Sequence, residues 1–463
     1  MRRLFPLLTL PLPFLLGGCD SLDRAAHTAT GFASHQLCSA VFVSKVDPDT
    51  FYRDAIAPTG GPVKSLFSRR IDRERGEVTA RFAGLVESRA IYRGAEGCLV
   101  EAGAPPANPP ATLPPAAPSL LPEIAGPEPV ETVNPTIRAA LDAAFTETDG
   151  APQRATKAIV IVHNGRVIAE RYAPGYGVDT PVIGWSATKS VTNALLGILV
   201  RQGRLDMHAP APVAAWADPK DPRHAITPDN LLRMNSGLDI GQSLTASARD
   251  AFDPSAQMVF EERDMAGYAE RFPLKFAPGS DWNYTNGNTL LLSRIIRDKT
   301  GGTAQSVLDF AHRELFDKLG MQHVTLEFDA TGTPIGSSHM LASPRDWAKF
   351  GLLYLNDGVV GGQRLLPEGW VDYSASLTPH SEAYGYAAGF WTNRGESGGG
   401  RYRIKAGIPA DAFMARGSAG QYVAVIPSQH LVVARFGMAF DKRNDLDMVA
   451  RVIRDVISTL PRS

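Results

Sequence analysis

Ser186-Ala-Thr-Lys189 places a serine and a lysine one helical turn apart, just before an apolar run from Val191 to Val200. The run reads as a helix beginning near Trp185 or Ser186. Positions i and i+3 share a helix face, so Ser Oγ and Lys Nζ can meet. A serine at a helix N-terminus sits in the positive end of the helix dipole, where backbone N–H groups also stabilise an oxyanion. A lysine buried in that field loses proton affinity and can act as a base. Alone the pattern is weak, because it equally describes a capping serine followed by a solvated lysine.

A second element strengthens it. Pro278-Gly279 leads into Trp282-Asn-Tyr284-Thr-Asn286, with a helix from near Gly287. A phenol close to an ammonium gives up its proton more readily, then accepts the serine proton and passes it to a leaving group. The plainer reading is a turn with Asn286 as cap. Two rivals are set aside. Tyr354-Leu-Asn356 ends an amphipathic helix, Trp347 to Leu355, and Asn356-Asp-Gly358 is a helix stop. Gly395-Glu-Ser397-Gly-Gly399, followed by Asp411 and His430, fits a nucleophile elbow. An elbow needs a strand before it and a helix after it, and Gly398 to Ile404 reads as turn and strand. There is no His-x-His or His-Glu-x-x-His and no cysteine cluster, so neither a metal nor another cofactor is expected.

With Asn235-Ser-Gly-Leu238 and Gly351-Leu-Leu-Tyr-Leu-Asn-Asp-Gly358 added, the chain resembles the serine hydrolases of the class C β-lactamase and penicillin-binding-protein superfamily. More narrowly it is similar to their esterase and 6-aminohexanoate-dimer hydrolase branch, over about residues 155–440. The resemblance implies an α+β fold, an antiparallel sheet flanked by helices with a mainly helical region beside it. It implies an acyl-enzyme mechanism on an ester or amide, with Ser186 as nucleophile, Lys189 and Tyr284 sharing base duty, and Asn286 as an amide contact. The family's third motif, Lys/His-Thr/Ser-Gly, is altered. Lys299-Thr-Gly301 is a decoy at the end of a helix. The matching segment is Phe413 to Gln421. If Gly417 is the motif glycine, Ala415 replaces the cation, Arg416 supplies a neighbouring charge, and the oxyanion donors are the N–H groups of Ser186 and Ser418. Losing that cation removes the usual partner of a β-lactam or peptide carboxylate. D-alanyl peptidase or β-lactamase activity, and an inactive envelope-binding lipoprotein, stay open as alternatives.

Elements must position these groups. The 463 residues are 44% hydrophobic and 21% charged, which excludes wholesale disorder and coiled coil. A net charge of -1 argues against nucleic acid as a partner. Arg2, Arg3 and the apolar stretch Leu4 to Leu16 read as a signal peptide over 1–18, ending in a lipobox-like Leu16-Gly-Gly-Cys19. Cys19 is then the lipidated residue, and the protein an exported lipoprotein facing the periplasm or cell exterior. Residues 19–31 read as a tether and 32–104 as a small β-containing module. Within it, Val41 to Val43 reads as a strand, and Phe67–Ile71 with Glu77–Phe82 as a hairpin. Cys38 and Cys98 open and close the module and are expected to pair in an oxidising compartment. Residues 105–130 are proline-rich and read as a semi-rigid linker. Residues 131–463 form the hydrolase-like domain. Its Asn164-Gly165 marks a hairpin, and its strands at both ends meet in one sheet.

Overall fold

The computed structural model describes residues 13–106, 108–147, 153–243, 248–439 and 442–461. Side chains of 13–20, 248–249 and 442–445 lie outside the described residues, and with them the Leu16-Gly-Gly-Cys19 motif.

The expected tether is helix. Helix α1 runs Pro13–Cys38, and its later turns bury Thr30, Ala33, Leu37 and Cys38. One face lies on an antiparallel sheet of β1 (Phe67–Asp72), β2 (Glu77–Phe82), β3 (Val86–Tyr92) and β4 (Cys98–Val100). Alternate residues Val78, Ala80 and Ala90 pack under it, as the period of a strand requires. Val41 to Val43 is not a strand. Ser39–Val43 forms a π-helical turn, closed by the Ser44 N–H donating to the Ser39 carbonyl at 2.9 Å. Three apolar residues do not distinguish helix from strand, and the chain is already helical at Cys38. The turn still buries Val41 and Val43 and stacks Phe42 on Tyr92. A disulfide joins Cys38 to Cys98, with Cα atoms 6.1 Å apart.

Several contacts lock this module onto the rest of the chain, among them Lys157 to Asp54 at 2.7 Å, Arg93 to the Phe328 carbonyl at 2.6 Å and one buried carboxylate. Glu327 is 0% exposed. Its Oε1 accepts from Ser39 Oγ at 2.8 Å and from the Cys98 N–H at 2.9 Å. Its Oε2 lies 3.0 Å from His35 Nε2. Sequence spacing showed no histidine cluster, yet the fold brings His35, Glu327 and His339 within 4.8 Å of one another. Residues 105, 106 and 108–130 are extended, but they are strapped down rather than free. Leu120 N–H donates to the Lys318 carbonyl, Val167 N–H to the Ile124 carbonyl, and Arg345 to the carbonyls of Gly126 and Glu128.

The larger part begins with α2 (Pro135–Phe145), β5 (Thr156–His163) and β6 (Arg166–Tyr172). Asn164 and Gly165 have φ of 50° and 76°, the left-handed pair a type I′ turn requires. Helices α3 (Thr188–Arg201), α4 (Pro254–Glu261), α5 (Asn286–Thr300) and α6 (Pro344–Leu355) fill the middle. Then come β7 (Trp391–Thr392), α7 (Gly398–Ala406), β8 (Phe413–Gly417), β9 (Gln421–Ile426), β10 (Leu431–Gly437) and α8 (Lys442–Ile457). The sheet order is β7-β8-β9-β10-β5-β6, antiparallel throughout, so the two ends of the domain do meet. Strand alternation divides two cores. Ile159, Ile161, Ala424 and Val433 face α2 and α8, while Val160, Val162, Val423 and Val432 face α3 and α6. Gly351 lets α6 lie close on the sheet, since a Cβ there would meet Val432 Cγ1 at 2.6 Å. Gly398 to Ile404, expected as turn and strand, is the first part of α7. Among the described residues no helix is long and apolar enough to cross a membrane.

The disulfide closes a loop of 60 residues, for which chain entropy gives about 4 kcal/mol. Replacing Cys38 and Cys98 together with serine should therefore make the region before residue 105 selectively sensitive to limited proteolysis. An unchanged cleavage pattern would show that packing alone holds it.

Candidate active site

Ser186 sits in the short 3-10 turn Trp185–Ala187 that leads into α3. Its position is forced from both sides. Trp185 has φ of 47°, a left-handed conformation that is strained for a bulky residue. Gly417, at the end of β8, presses against this turn. A Cβ there would stand 2.0 Å from the Gly184 carbonyl oxygen, so only glycine fits. Ser418 follows directly, and its first residues turn away from the sheet rather than continuing a strand. Ser186, Asn286 and Ser418 line one cavity.

Lys189, one turn into the helix, is 1% exposed. Its Nζ stands 3.2 Å from Ser186 Oγ, 2.8 Å from Asn286 Oδ1 and 2.8 Å from the Ser337 carbonyl. Burial pulls its pKa down to about 7. Asn286 opens α5, where Thr285 caps the helix by accepting from the Gly287 N–H.

Tyr284 precedes that cap. The Ser186 side chain acts on its hydroxyl, and Lys189 Nζ lies 5.0 Å from its ring centroid. The expected acidification of this phenol is reversed. Burial pushes Tyr284 up to about 12, while the Ser186 hydrogen bond and then the Arg416 charge act downward. Arg416 lies over Trp391 and Tyr422, on the Tyr284 side of β8. Ala415, on the opposite face, is buried in the core, so no cation replaces the motif lysine there. The Asn235 to Leu238 segment backs the Tyr284 loop, with the Gly279 N–H donating to the Asn235 carbonyl at 2.7 Å and the Asn283 N–H to Met234 at 2.9 Å.

The rivals lie elsewhere. Tyr354 is buried and donates to Asn193 Oδ1 at 2.6 Å. Gly301 is the C-cap of α5, and the Lys299 carbonyl accepts from Arg204. Ser397 caps α7, accepting from the Gly400 N–H at 2.9 Å. Asp411 accepts from Ser428 rather than from His430. A helix does follow Ser397, contrary to expectation, but its serine is spent on that cap and the other two residues do not join it. Sequence reasoning missed Ser337, whose carbonyl holds Lys189, and His339, which lines the cavity and is kept well below the usual histidine range by burial, then by the charges of His35 and Lys189. Both come from an irregular loop with no pattern to mark it.

A sheet covered by helices on both faces, with Ser-x-x-Lys opening the central helix, defines the β-lactamase and transpeptidase class of fold. The Beta-lactamase family model matches residues 141–456, and the chain belongs to that family. The 6-aminohexanoate-dimer hydrolase of Paenarthrobacter ureafaciens is 26% identical over 263 residues, 53% of this chain and 64% of that relative. The chain thus spans a little under two thirds of that protein's length. A Bacillus anthracis structure assigned to the same hydrolase name shares 22% identity with a TM-score of 0.57, over 76% of this chain and 92% of that one. A penicillin-binding protein homologue from Caulobacter crescentus shares 17% with a TM-score of 0.53, over 70% and 97%. Both likenesses are of fold.

The buried amine makes a stability prediction. With a native pKa of about 7 against about 10.4 unfolded, the unfolded chain binds the extra proton between those values. Stability contributed by this group therefore rises with pH across that window. Lys189→Met should be most stabilising relative to wild type near pH 6, and the difference should shrink toward pH 10 in denaturant titrations. A difference independent of pH would mean that Lys189 titrates alike in both states.

Proposed function

We propose that this protein is a serine hydrolase that cleaves an ester or amide through an acyl-enzyme. The observation that carries the reading is Lys189 Nζ standing 3.2 Å from Ser186 Oγ, with Tyr284 packed against that lysine, its ring centroid 5.0 Å from Nζ. Oγ attacks the substrate carbonyl carbon and its proton passes to neutral Lys189. The oxyanion is assigned to the backbone N–H groups of Ser186 and Ser418. As the tetrahedral intermediate collapses, Tyr284 relays a proton to the leaving group. Water then attacks the ester on Ser186, and the same groups run in reverse. Lys189 is the resting base, because a group near 7 accepts a proton at neutral pH whereas a phenol near 12 already holds one.

Ser186→Ala should abolish covalent labelling by a fluorophosphonate, read by intact mass. Lys189→Ala and Tyr284→Phe should each lower turnover of a short ester by about 10²-fold or more. The double variant should lose little beyond the worse single one, because the two act as one proton-transfer unit. In wild type, kcat/KM should rise with pH through about 7 as Lys189 deprotonates. Full labelling in Ser186→Ala would refute the assignment. Rapid turnover of nitrocefin would favour the β-lactamase alternative, although the buried Ala415 supplies no cation for its carboxylate.

We further propose that Cys19 is lipidated and anchors the protein outside the cytoplasm. The Leu16-Gly-Gly-Cys19 motif supports this, and the Cys38–Cys98 disulfide suits an oxidising compartment. Cys19→Ala should move the protein from the membrane fraction to the soluble one. Unaltered partitioning would defeat the idea.

A further inference from the structure

The cavity that Ser186 opens onto has a volume of about 420 Å³, within the range of about 300 to 1,000 Å³ usual for small-molecule sites. Much of its wall comes from outside the family match, which begins at residue 141. Ala29 and Phe32 of α1, Ala55 and Val63 of the module, and Phe260 of α4 face it together. Phe32 stacks on Trp185, the residue beside the nucleophile, with ring centroids 6.0 Å apart, and meets Phe260 edge-on at 5.6 Å. Among the described residues three lining side chains carry charge, Lys64, Asp250 and Asp253. Asp253 is engaged as the cap of α4, accepting from the Ser255 N–H at 2.8 Å. Arg416, the cation nearest the altered third motif, is not part of this lining.

An apolar chamber joined to a nucleophile selects by burying hydrocarbon, because removing each methylene from water adds a similar increment of binding. Among the described lining side chains a carboxylate-bearing substrate would find a single lysine, Lys64, set against the two carboxylates of Asp250 and Asp253. The wall is also fixed rather than a lid. The Cys38–Cys98 disulfide ties α1 to β4, while the His35–Glu327 contact at 3.0 Å and the Lys157–Asp54 pair at 2.7 Å hold α1 and the module against the domain.

We propose that α1 and the N-terminal module form a substrate-binding wall that takes the linear aliphatic chain of an ester or amide whose carbonyl is presented to Ser186. This rests on the hydrolase reading above. The chain can belong to the acyl group or to the leaving group, and two substrate series separate these. On the full chain, kcat/KM is measured for p-nitrophenyl esters from acetate to decanoate and for alkyl acetates from ethyl to decyl. One series should rise about threefold to fourfold per methylene until the chamber is full. Fluorophosphonate titration normalises each preparation to competent sites. Ala29→Trp and Val63→Asp, one filling and one charging the wall, should each lower the long-chain to short-chain ratio at least tenfold. Calorimetric binding of decanoate and decanol, against their six-carbon counterparts, reads the chamber without catalysis. If no ester turns over yet the ten-carbon compound binds much more tightly, the chamber stands and the hydrolase reading falls. Acetate turnover with flat profiles in both series overturns the chamber and leaves the hydrolase standing. Unchanged ratios in both variants, or no chain-length dependence of binding, also overturn it.

Discussion

An amine held out of water is the constraint around which the rest is arranged. Lys189 cannot be both buried and charged without acceptors, since an unpaired buried ammonium is costly. Its three partners come from three separate places in the chain. Ser186 is in the turn before α3, Asn286 begins α5, and Ser337 lies on an irregular loop. Bringing them to one nitrogen fixes the relative placement of two helices and a loop to within hydrogen-bond tolerance. The apolar shell of α3 then holds that placement, because a run such as Val191, Ala194, Leu195 and Ile198 has no alternative to the core.

The sheet serves the same end at longer range. Its strands are apolar on both faces, so it can only be an inner layer, with α2 and α8 on one side and α3 and α6 on the other. Burying both faces sets the strand register firmly, since a slip of one residue would exchange the two cores. That firmness reaches the site through β8. Gly417 meets Gly184 at a distance no side chain allows, so the end of a well-registered strand pins the turn carrying Ser186. The strain in Trp185 is sustained by this contact and by the stacking of Phe32.

What was legible in the sequence was local and periodic. Asn164-Gly165 specified its turn, Ser-x-x-Lys specified a shared helix face, and alternating strands at both ends of the domain specified a common sheet. What was hidden depended on contacts distant in sequence. Gly398-Gly-Gly400 suggested a turn, yet Gly399 is there because a Cβ would stand 1.8 Å from the Tyr384 carbonyl oxygen, and the chain through it is helical. Residues 19–31 looked like a tether because alanine, threonine and glycine carry little apolar signal. Small residues are what a helix needs to lie close on a neighbouring element, and Gly31 packs against the Phe260 backbone of α4. The His35, Glu327 and His339 cluster spans two parts of the chain, and no motif spacing reports such a meeting. The Tyr284 titration was misread for a related reason. Proximity to an ammonium lowers a phenol, but full burial raises it more, and only the packed structure reveals the burial.

That last difference shapes the proposed chemistry. Two groups stand beside Ser186, and their environments push them in opposite directions, an amine down to about 7 and a phenol up to about 12. Desolvation causes both shifts, because it penalises the charged form of each: ammonium for one and phenolate for the other. A single dry pocket therefore yields an amine free to take a proton and a phenol ready to give one. Separating the two roles needs no charged partner beside them, only burial and a shared hydroxyl. The same dryness would serve an aliphatic substrate chain. On this argument dryness has two sources: Trp282, Tyr386 and Trp391 pack around Tyr284 to keep water from the proton-transfer pair, and the apolar wall built by α1 and the module offers the substrate chain its surface.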